Sequence, residues 1–223
     1  MKNTDFSQLQ KIVPDVSRET FNDLCAYEAL LRKWQPHINL VANATLPNLW
    51  QRHILDSVQL FPLQKTAIRW LDIGSGGGFP ALVLAIMLKA QNRKNEGSAF
   101  IDLVESNGKK VAFLQTVIAA LSLPAKVHNK RIETCYEDIV APDMITARAL
   151  ADLSTLFTLI FPWYQKKTVA LLQKGRDYER ECNEAAAKWS FDLVTYDSMV
   201  NEESVILEIR HLHPVTKSER QMK

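Results

Sequence analysis

Glycine is scarce in this chain and concentrated: there are seven, and four of them stand at positions 74, 76, 77 and 78. Cysteine is scarcer. Cys25, Cys135 and Cys182 are odd in number and lack a Cys-x-x-Cys spacing, which argues against a disulfide framework or a zinc site and for reduced cytoplasmic thiols. An excess of one charge is also lacking, with 27 Lys and Arg against 25 Asp and Glu, a net charge of +2 and a pI near 8.4. Overall charge therefore neither demands nor excludes RNA, and a nucleic-acid partner has to be met by a local basic patch. No apolar run approaches the ~20 residues that span a bilayer. No signal-peptide pattern opens the chain, so no membrane role is expected and the protein is expected to be cytoplasmic. Internal repeats and low-complexity tracts are absent too. What is present, 47% hydrophobic and 23% charged residues over 223 positions, is ordinary for a globular protein and suits one domain with an extension.

The glycine cluster is the centre of the chain. Trp70-Leu71-Asp72-Ile73 reads as a short buried strand, and Pro80 suits the first turn of a helix whose apolar run is residues 81–88. Glycines between strand and helix allow positive φ and close approach of the backbone to a ligand. A phosphate-binding P-loop is excluded, because the positions that would carry its second glycine and its lysine are Phe79 and Pro80. The dinucleotide fingerprint fails at the same place, its third glycine again falling on Phe79. What remains is Asp-x-Gly-x-Gly-x-Gly from Asp72 to Gly78, which resembles motif I of the class I methyltransferases that use S-adenosylmethionine (SAM).

Residues 1–66 carry helical periodicity and no strand candidate. Ser17 can cap a helix with Phe21, Leu24, Leu31 and Trp34 at helical spacing, closed by Pro36. Thr45 can cap a second helix, with Pro47 in its first turn and Leu49, Trp50, His53, Ile54 and Val58 following. Arg52 and Asp56 stand four apart there and can pair on one helix face. From Arg69 onward strands and helices alternate, the pattern of a parallel sheet covered on both faces. The strand Phe100–Val104 ends at Glu105, an acid placed to hold the ribose hydroxyls of an adenosine cofactor. Glu105 follows Gly74 by 31 residues where ~20 is usual, and the polar stretch 91–98 accounts for the excess as an inserted surface loop. A helix over 106–121, a strand at 126–128, a turn at Arg131-Ile132-Glu133 and a strand at 144–147 ending in Arg148 come next. They lead to a helix over 152–161, a strand at 168–172 ending in Gln173-Lys174-Gly175, a helix over 177–189 and strands at 191–196 and 204–210. The last two strands suit an antiparallel hairpin. The expected organisation is a helical extension over 1–66, a catalytic domain over 67–213 and a tail over 214–223.

Five stretches together carry a more specific resemblance: Asn39-Leu40-Val41-Ala42, Arg52-His53-Ile54-Leu55-Asp56-Ser57, Asp72 to Pro80, Ser106-Asn107-Gly108-Lys109-Lys110 with Phe113-Leu114, and Arg148-Ala149-Leu150-Ala151. From about residue 20 to 175 the chain resembles the small-subunit ribosomal RNA guanine-N7 methyltransferase (RsmG or GidB) family. The resemblance implies an α/β fold of the class I SAM-methyltransferase type, a Rossmann-like, doubly wound, mostly parallel seven-stranded sheet with a helical extension. It implies methyl transfer from SAM to N7 of a guanosine in the decoding-site loop of 16S ribosomal RNA, within a small-subunit particle. A monomer is expected, with no metal. Carried over by position, Gly74 and Phe79 line the methionine end of the cofactor, Ile132 and Glu133 the adenine edge, and Arg148 the far wall, with Asp72, Gly76 and Glu105 completing the set. Ile132 replaces a usual small residue, which points to adenine contact through backbone N–H, and Glu105 replaces a usual aspartate. Arg52, His53, Lys109 and Lys174 are the RNA-binding candidates, since arginine and lysine neutralise phosphates and arginine stacks on bases. Lys174 can equally support the loop after its strand. Because guanine N7 carries a free lone pair, no general acid or base is expected. An NAD-dependent oxidoreductase with an atypical glycine loop, and a non-catalytic RNA-binding module of the same fold, are the alternatives.

Overall fold

A computed structural model describes residues 2–64, 66–95 and 97–216, without the side chains of Lys2 and Asn3. Helices α1 (Lys2–Ile12) and α2 (Arg18–Trp34) open the chain. Ser17 caps α2 by accepting the Thr20 amide at 3.0 Å, and Phe21, Leu24, Tyr27 and Leu31 bury one face at helical spacing. The next stretch is not one helix capped by Thr45. It is a 3₁₀ segment Asn43–Asn48, a wide π-type turn Trp50–Leu55 and a single α-turn, α3 (Asp56–Val58). Thr45 lies inside the 3₁₀ segment, its hydroxyl donating to the Ala42 carbonyl at 2.7 Å and its oxygen bonded to His53 Nε2 at 2.8 Å, so it caps no helix. A short 3₁₀ turn, Phe61–Gln64, leads to the sheet.

The sheet comprises β1 (Arg69–Ile73), β2 (Phe100–Val104), β3 (Ala125–His128), β4 (Met144–Arg148), β5 (Val169–Lys174), β6 (Trp189–Asp197) and β7 (Val205–Pro214). Their order is β3-β2-β1-β4-β5-β7-β6, with β7 antiparallel to both its neighbours and the other pairings parallel. The order reverses at β1, which sets a crevice outside the carboxyl ends of β1 and β4. Helices α4 (Ala81–Asn95), α5 (Gly108–Leu121), α6 (Leu153–Ile160) and α7 (Tyr178–Ala185) complete the layers.

The buried apolar side chains of the central strands divide between two cores, as the two-residue period requires. Trp70, Ile101, Met144, Val169 and Leu171 pack with α4, α5 and the N-terminal helices. Leu71, Ile73, Ile145, Ala170 and Leu172 pack with α6 and α7. Asp72, Thr146, Arg148 and Gln173 therefore share the face covered by the N-terminal helices, while Lys174 faces α7.

Three sequence expectations are corrected. Residues 91–95 are the end of α4 rather than a loop, because their polar side chains find partners: Lys94 pairs with Asp15 at 2.7 Å, Arg93 pairs with Glu19, and Asn92 brackets Ala99 through its carbonyl and amide at 2.8 Å each. The helix after β2 begins at Gly108, since the Asn107 side chain accepts the Lys109 and Lys110 amides and so acts as its cap. Trp189 opens β6 instead of ending a helix, because it pairs with Pro214 and is buried against Phe157 and Phe161. The 214–223 tail falls mostly on residues 217–223, outside the described residues. Among the described residues no helix is long and apolar enough to cross a membrane.

Candidate active site

The glycine loop crosses the carboxyl ends of β1 and β2, held by the Gly74 and Ser75 amides donating to the Val104 carbonyl at 2.9 and 3.1 Å. Gly74, Gly76 and Gly78 sit at φ of +69°, +55° and +93°, where a Cβ is strained. The four glycines are small for different reasons. A Cβ at Gly74 would lie 2.7 Å from the Leu150 side chain, at Gly77 2.7 Å from the Leu40 carbonyl oxygen, and at Gly78 2.5 Å from Leu82. At Gly76 it would meet nothing closer than the Gly74 carbonyl at 3.7 Å. Three glycines thus let the chain pack on itself, and Gly76 alone among the four leaves a bare face toward open space. The helical extension is part of this packing, because the buried Tyr27 hydroxyl donates to the Gly77 carbonyl at 2.6 Å.

One carboxylate borders the bare face and a second lies buried beneath the loop. Glu105, 9% exposed, accepts the Gly76 amide at 2.9 Å through one oxygen and the Asn107 amide at 2.7 Å through the other. Asp72, at the register of Thr146, accepts that hydroxyl at 2.7 Å through Oδ1, while its buried Oδ2 has no hydrogen-bond partner among the described residues. Burial pushes the Asp72 carboxyl up to about 6, against the opposing pull of the neighbouring Ser75 and Thr146 hydroxyls and of Arg148. An unpaired buried carboxylate oxygen is costly unless a donor or a cation arrives. Ile132 and Glu133 lie in the 3₁₀ turn Ile132–Thr134 just after β3, Ile132 half-buried and Glu133 exposed. This places them beyond Glu105 on the β2 side of the loop, because β3 pairs with β2.

Arg148 closes the other side. Its Nη1 contacts Asp56 Oδ2 at 3.2 Å and its Nη2 donates to His53 Nδ1 at 2.9 Å, while the guanidinium carbon lies 5.1 Å from the Phe79 ring centroid. A guanidinium only donates, so His53 Nδ1 carries a lone pair and its Nε2–H donates to Thr45 Oγ1 at 2.8 Å. Burial and the neighbouring Arg148 and Arg52 charges lower the His53 pKa to about 4, so His53 is a neutral bracket for Arg148. The expected Arg52 to Asp56 pair does not form. The wide turn at 50–55 leaves Arg52 exposed and directs Asp56 inward, where its carboxylate also accepts Gln173 Nε2 at 2.8 Å and Gln59 Nε2 at 2.9 Å.

Beside this cluster a cleft of about 360 Å³ opens over the ends of β4 and β5, lined among others by Arg52, His53, Arg148, Gln173 and Asn201. The RNA candidates are not brought together equally. Arg52, His53 and Lys174 all line the cleft. The Lys174 side chain, 10% exposed, is turned to Glu181 at 2.6 Å and the Ala151 carbonyl at 2.9 Å, and thereby ties β5 to α7. Lys109 is exposed in the first turn of α5, one strand removed from the cleft. Sequence reasoning gave no role to Tyr27, Gln59 and Thr146, and read Thr45 only as a helix cap. Strand parity offered one signal, because Thr146 stands two residues before Arg148 on the same face of β4. Gln59 and Thr45 carried none. Among the described residues there is no group of three side chains that can hold a metal ion.

The family model described as "rRNA small subunit methyltransferase G" matches residues 20–212. A ribosomal RNA small subunit methyltransferase G of Bartonella tribocorum is 56% identical over 207 residues, covering 93% of this chain and 95% of that protein. One of Brucella ovis is 55% identical over 211 residues, covering 95% and 97%. Among solved structures, the SAH-bound Podospora anserina methyltransferase superposes with a TM-score of 0.58 at 12% identity, covering 87% of this chain and 88% of that one. A putative O-methyltransferase from Klebsiella pneumoniae gives 0.55 at 11% identity, covering 91% and 94%, so the likeness to both structures is one of fold.

Proposed function

The chain belongs to the rRNA small subunit methyltransferase G family and is a ribosomal RNA methyltransferase; from that premise we propose that it transfers the methyl group of SAM to N7 of a guanosine in the decoding-site loop of 16S ribosomal RNA. The observation that carries the donor half is the bare Gly76 face, whose amide Glu105 accepts, with the buried Asp72 carboxyl behind it at the end of β1. Two carboxylates and no lysine suit a cationic ligand and repel a pyrophosphate, which weighs against the nicotinamide-dinucleotide alternative. These residues fit SAM, with Glu105 toward the ribose, Asp72 toward the cationic methionine end, and Gly74, Gly76 and Phe79 against its length. Ile132 and Glu133 stand on the adenine side. Bound there, SAM supplies a methyl group on a sulfonium, which the in-plane lone pair of guanine N7 takes without prior loss of a proton.

The chain's own contribution is placement. Holding acceptor and donor in line at near-attack distance supplies several kcal/mol of the barrier, on the order of the effective-molarity gains known for oriented reactants. Arg148, fixed by His53 and Asp56 above Phe79, separates the donor cradle from the cleft and leaves guanidinium N–H groups for the acceptor side. His53 is not the base of this reaction, because its one lone pair is taken by Arg148. The exposed Arg52 at the cleft mouth neutralises phosphate, and the protein acts in the cytoplasm on RNA held in a small-subunit particle. Labelled SAM incubated with undermethylated small subunits, followed by mapping of the label, tests the reading. Label at guanine N7 in the decoding-site loop is expected; label at another atom or in another RNA refutes it.

A further inference from the structure

Gln173, at the end of β5, is 7% exposed and only half of its amide is accounted for. Its Nε2 donates to the Asp56 carbonyl at 2.9 Å and to Asp56 Oδ2 at 2.8 Å. Both partners are acceptors, so turning the amide round would set oxygen against oxygen and the orientation is forced. Oε1 is then a buried acceptor with no partner among the described residues, in a side chain that lines the 360 Å³ cleft. Buried polar atoms are satisfied in working proteins, by water or by a ligand.

Strand order says which part of a ligand reaches it. The glycine loop stands at the end of β1, Arg148 at the end of β4, and Gln173 next along at the end of β5 in direct register with Arg148. A purine lying in the cleft with N7 toward the glycine loop turns its six-membered ring, and with it the Watson–Crick edge, toward β5. Guanine presents N1–H and N2–H₂ donors on that edge, whereas adenine presents an acceptor at N1, no donor at C2, and its one donor, N6–H₂, where guanine carries O6. Bases splayed out of single-stranded RNA are read on this edge.

We propose that Gln173 Oε1 accepts an N–H from the Watson–Crick edge of the target guanine, and that Gln173 is thereby the residue that sets guanine above adenine. The proposal rests on the guanine-N7 reading above. Its test uses the full chain, labelled SAM and small subunits reconstituted with 16S RNA carrying guanosine, inosine, 1-methylguanosine or adenosine at the mapped position. With the native protein, kcat/KM falls at least about 100-fold for adenosine, the scale at which a site built to hydrogen-bond rejects an analogue lacking the donor. It falls at least about tenfold for inosine or for 1-methylguanosine, whichever lacks the donor that Gln173 uses. With Gln173→Leu the gap between guanosine and adenosine closes to within about tenfold, while the Kd for SAM is unchanged. An equal fall for all four bases, leaving the ratio intact, would mean that Gln173 only supports Asp56 and would overturn the proposal. If Gln173→Leu does not fold, the native series decides, and inosine and 1-methylguanosine both reacting like guanosine overturn it. Label at an atom other than guanine N7 overturns the functional reading and this proposal together; N7 labelling with an intact ratio overturns this proposal alone.

Discussion

Alanine at Gly76 and alanine at Gly77 separate the two reasons a glycine sits in this loop. At Gly76 the new Cβ touches no protein atom nearer than 3.7 Å, so the cost to the free protein is a left-handed backbone at φ +55°. That is about 1–2 kcal/mol for a residue with a Cβ, or roughly 2–8 °C in Tm for a chain of this size. The methyl group then stands where the ligand's surface has to lie. Overpacking of a filled contact costs about 1–3 kcal/mol, which weakens SAM binding by about 5- to 150-fold. At Gly77 the balance inverts. Its φ lies outside the left-handed region, but its Cβ would press to 2.7 Å on the Leu40 carbonyl, a backbone atom that moves only with the extension. A stability loss of about 1–3 kcal/mol is expected there, with SAM affinity falling less than in Gly76→Ala. Scanning calorimetry on both variants and titration calorimetry with SAM give the four numbers. Gly76→Ala binding SAM within twofold of the native protein refutes the reasoning, and so does a Gly77→Ala protein that loses SAM while keeping its Tm.

The single-turnover methyl-transfer rate should be nearly flat from about pH 6.5 to 8.5, because His53, lowered to about 4, is already neutral and bonded to Arg148 throughout; a limb rising tenfold per pH unit that His53→Ala abolishes would make His53 the base. The same shift predicts stability that is full above the ordinary histidine pKa of 6.5 and lost as pH falls toward about 4, since the unfolded chain takes up the proton first; denaturant melts of His53→Gln should lose that slope. Asp56→Ala leaves Arg148, Gln173 and Gln59 without a shared acceptor in a site where the Asp56 and Arg148 side chains are 14% and 17% exposed. A loss of about 2–4 kcal/mol is expected, below the full value for a buried pair because water still reaches it, and methylation should fall further than SAM affinity. Arg52→Ala should weaken RNA binding and reduce its salt slope by about one, whereas Lys174→Ala should lower Tm by breaking the tie to Glu181 and leave the slope alone; the opposite assignment in salt titrations would place the RNA face on the α7 side.

Features that depend on neighbours along the chain were legible from the residues alone. Asp72 to Pro80 read correctly as strand, loop and helix start, because a short apolar run, clustered glycines and proline act within a few residues. The Ser17 cap, the alternation after Arg69 and the final antiparallel hairpin were legible for the same reason. Misreadings arose where a polar side chain has its partner elsewhere: residues 91–95 read as a loop until Asp15 and Glu19 draw Arg93 and Lys94 into α4, and Thr45 read as a cap until His53 and Ala42 claim its hydroxyl. The separate purposes of the glycines came from the folded chain, since Leu40, Tyr27 and Leu150 reach the loop from 37, 51 and 76 positions away from Gly77, Gly78 and Gly74. The fold also set which charges face the cleft. Arg52 and Asp56 stand one α-turn apart in sequence, but the wide turn at 50–55 parts them and gives Asp56 to Arg148, 92 residues away. Lys174 and Gln173 are adjacent in sequence and both border the cleft, yet strand parity ties one to Glu181 of α7 and the other to Asp56. Composition and motif spacing are blind to such choices, because a hydrogen bond or ion pair is set by distance in space and by the face of the sheet a side chain leaves from.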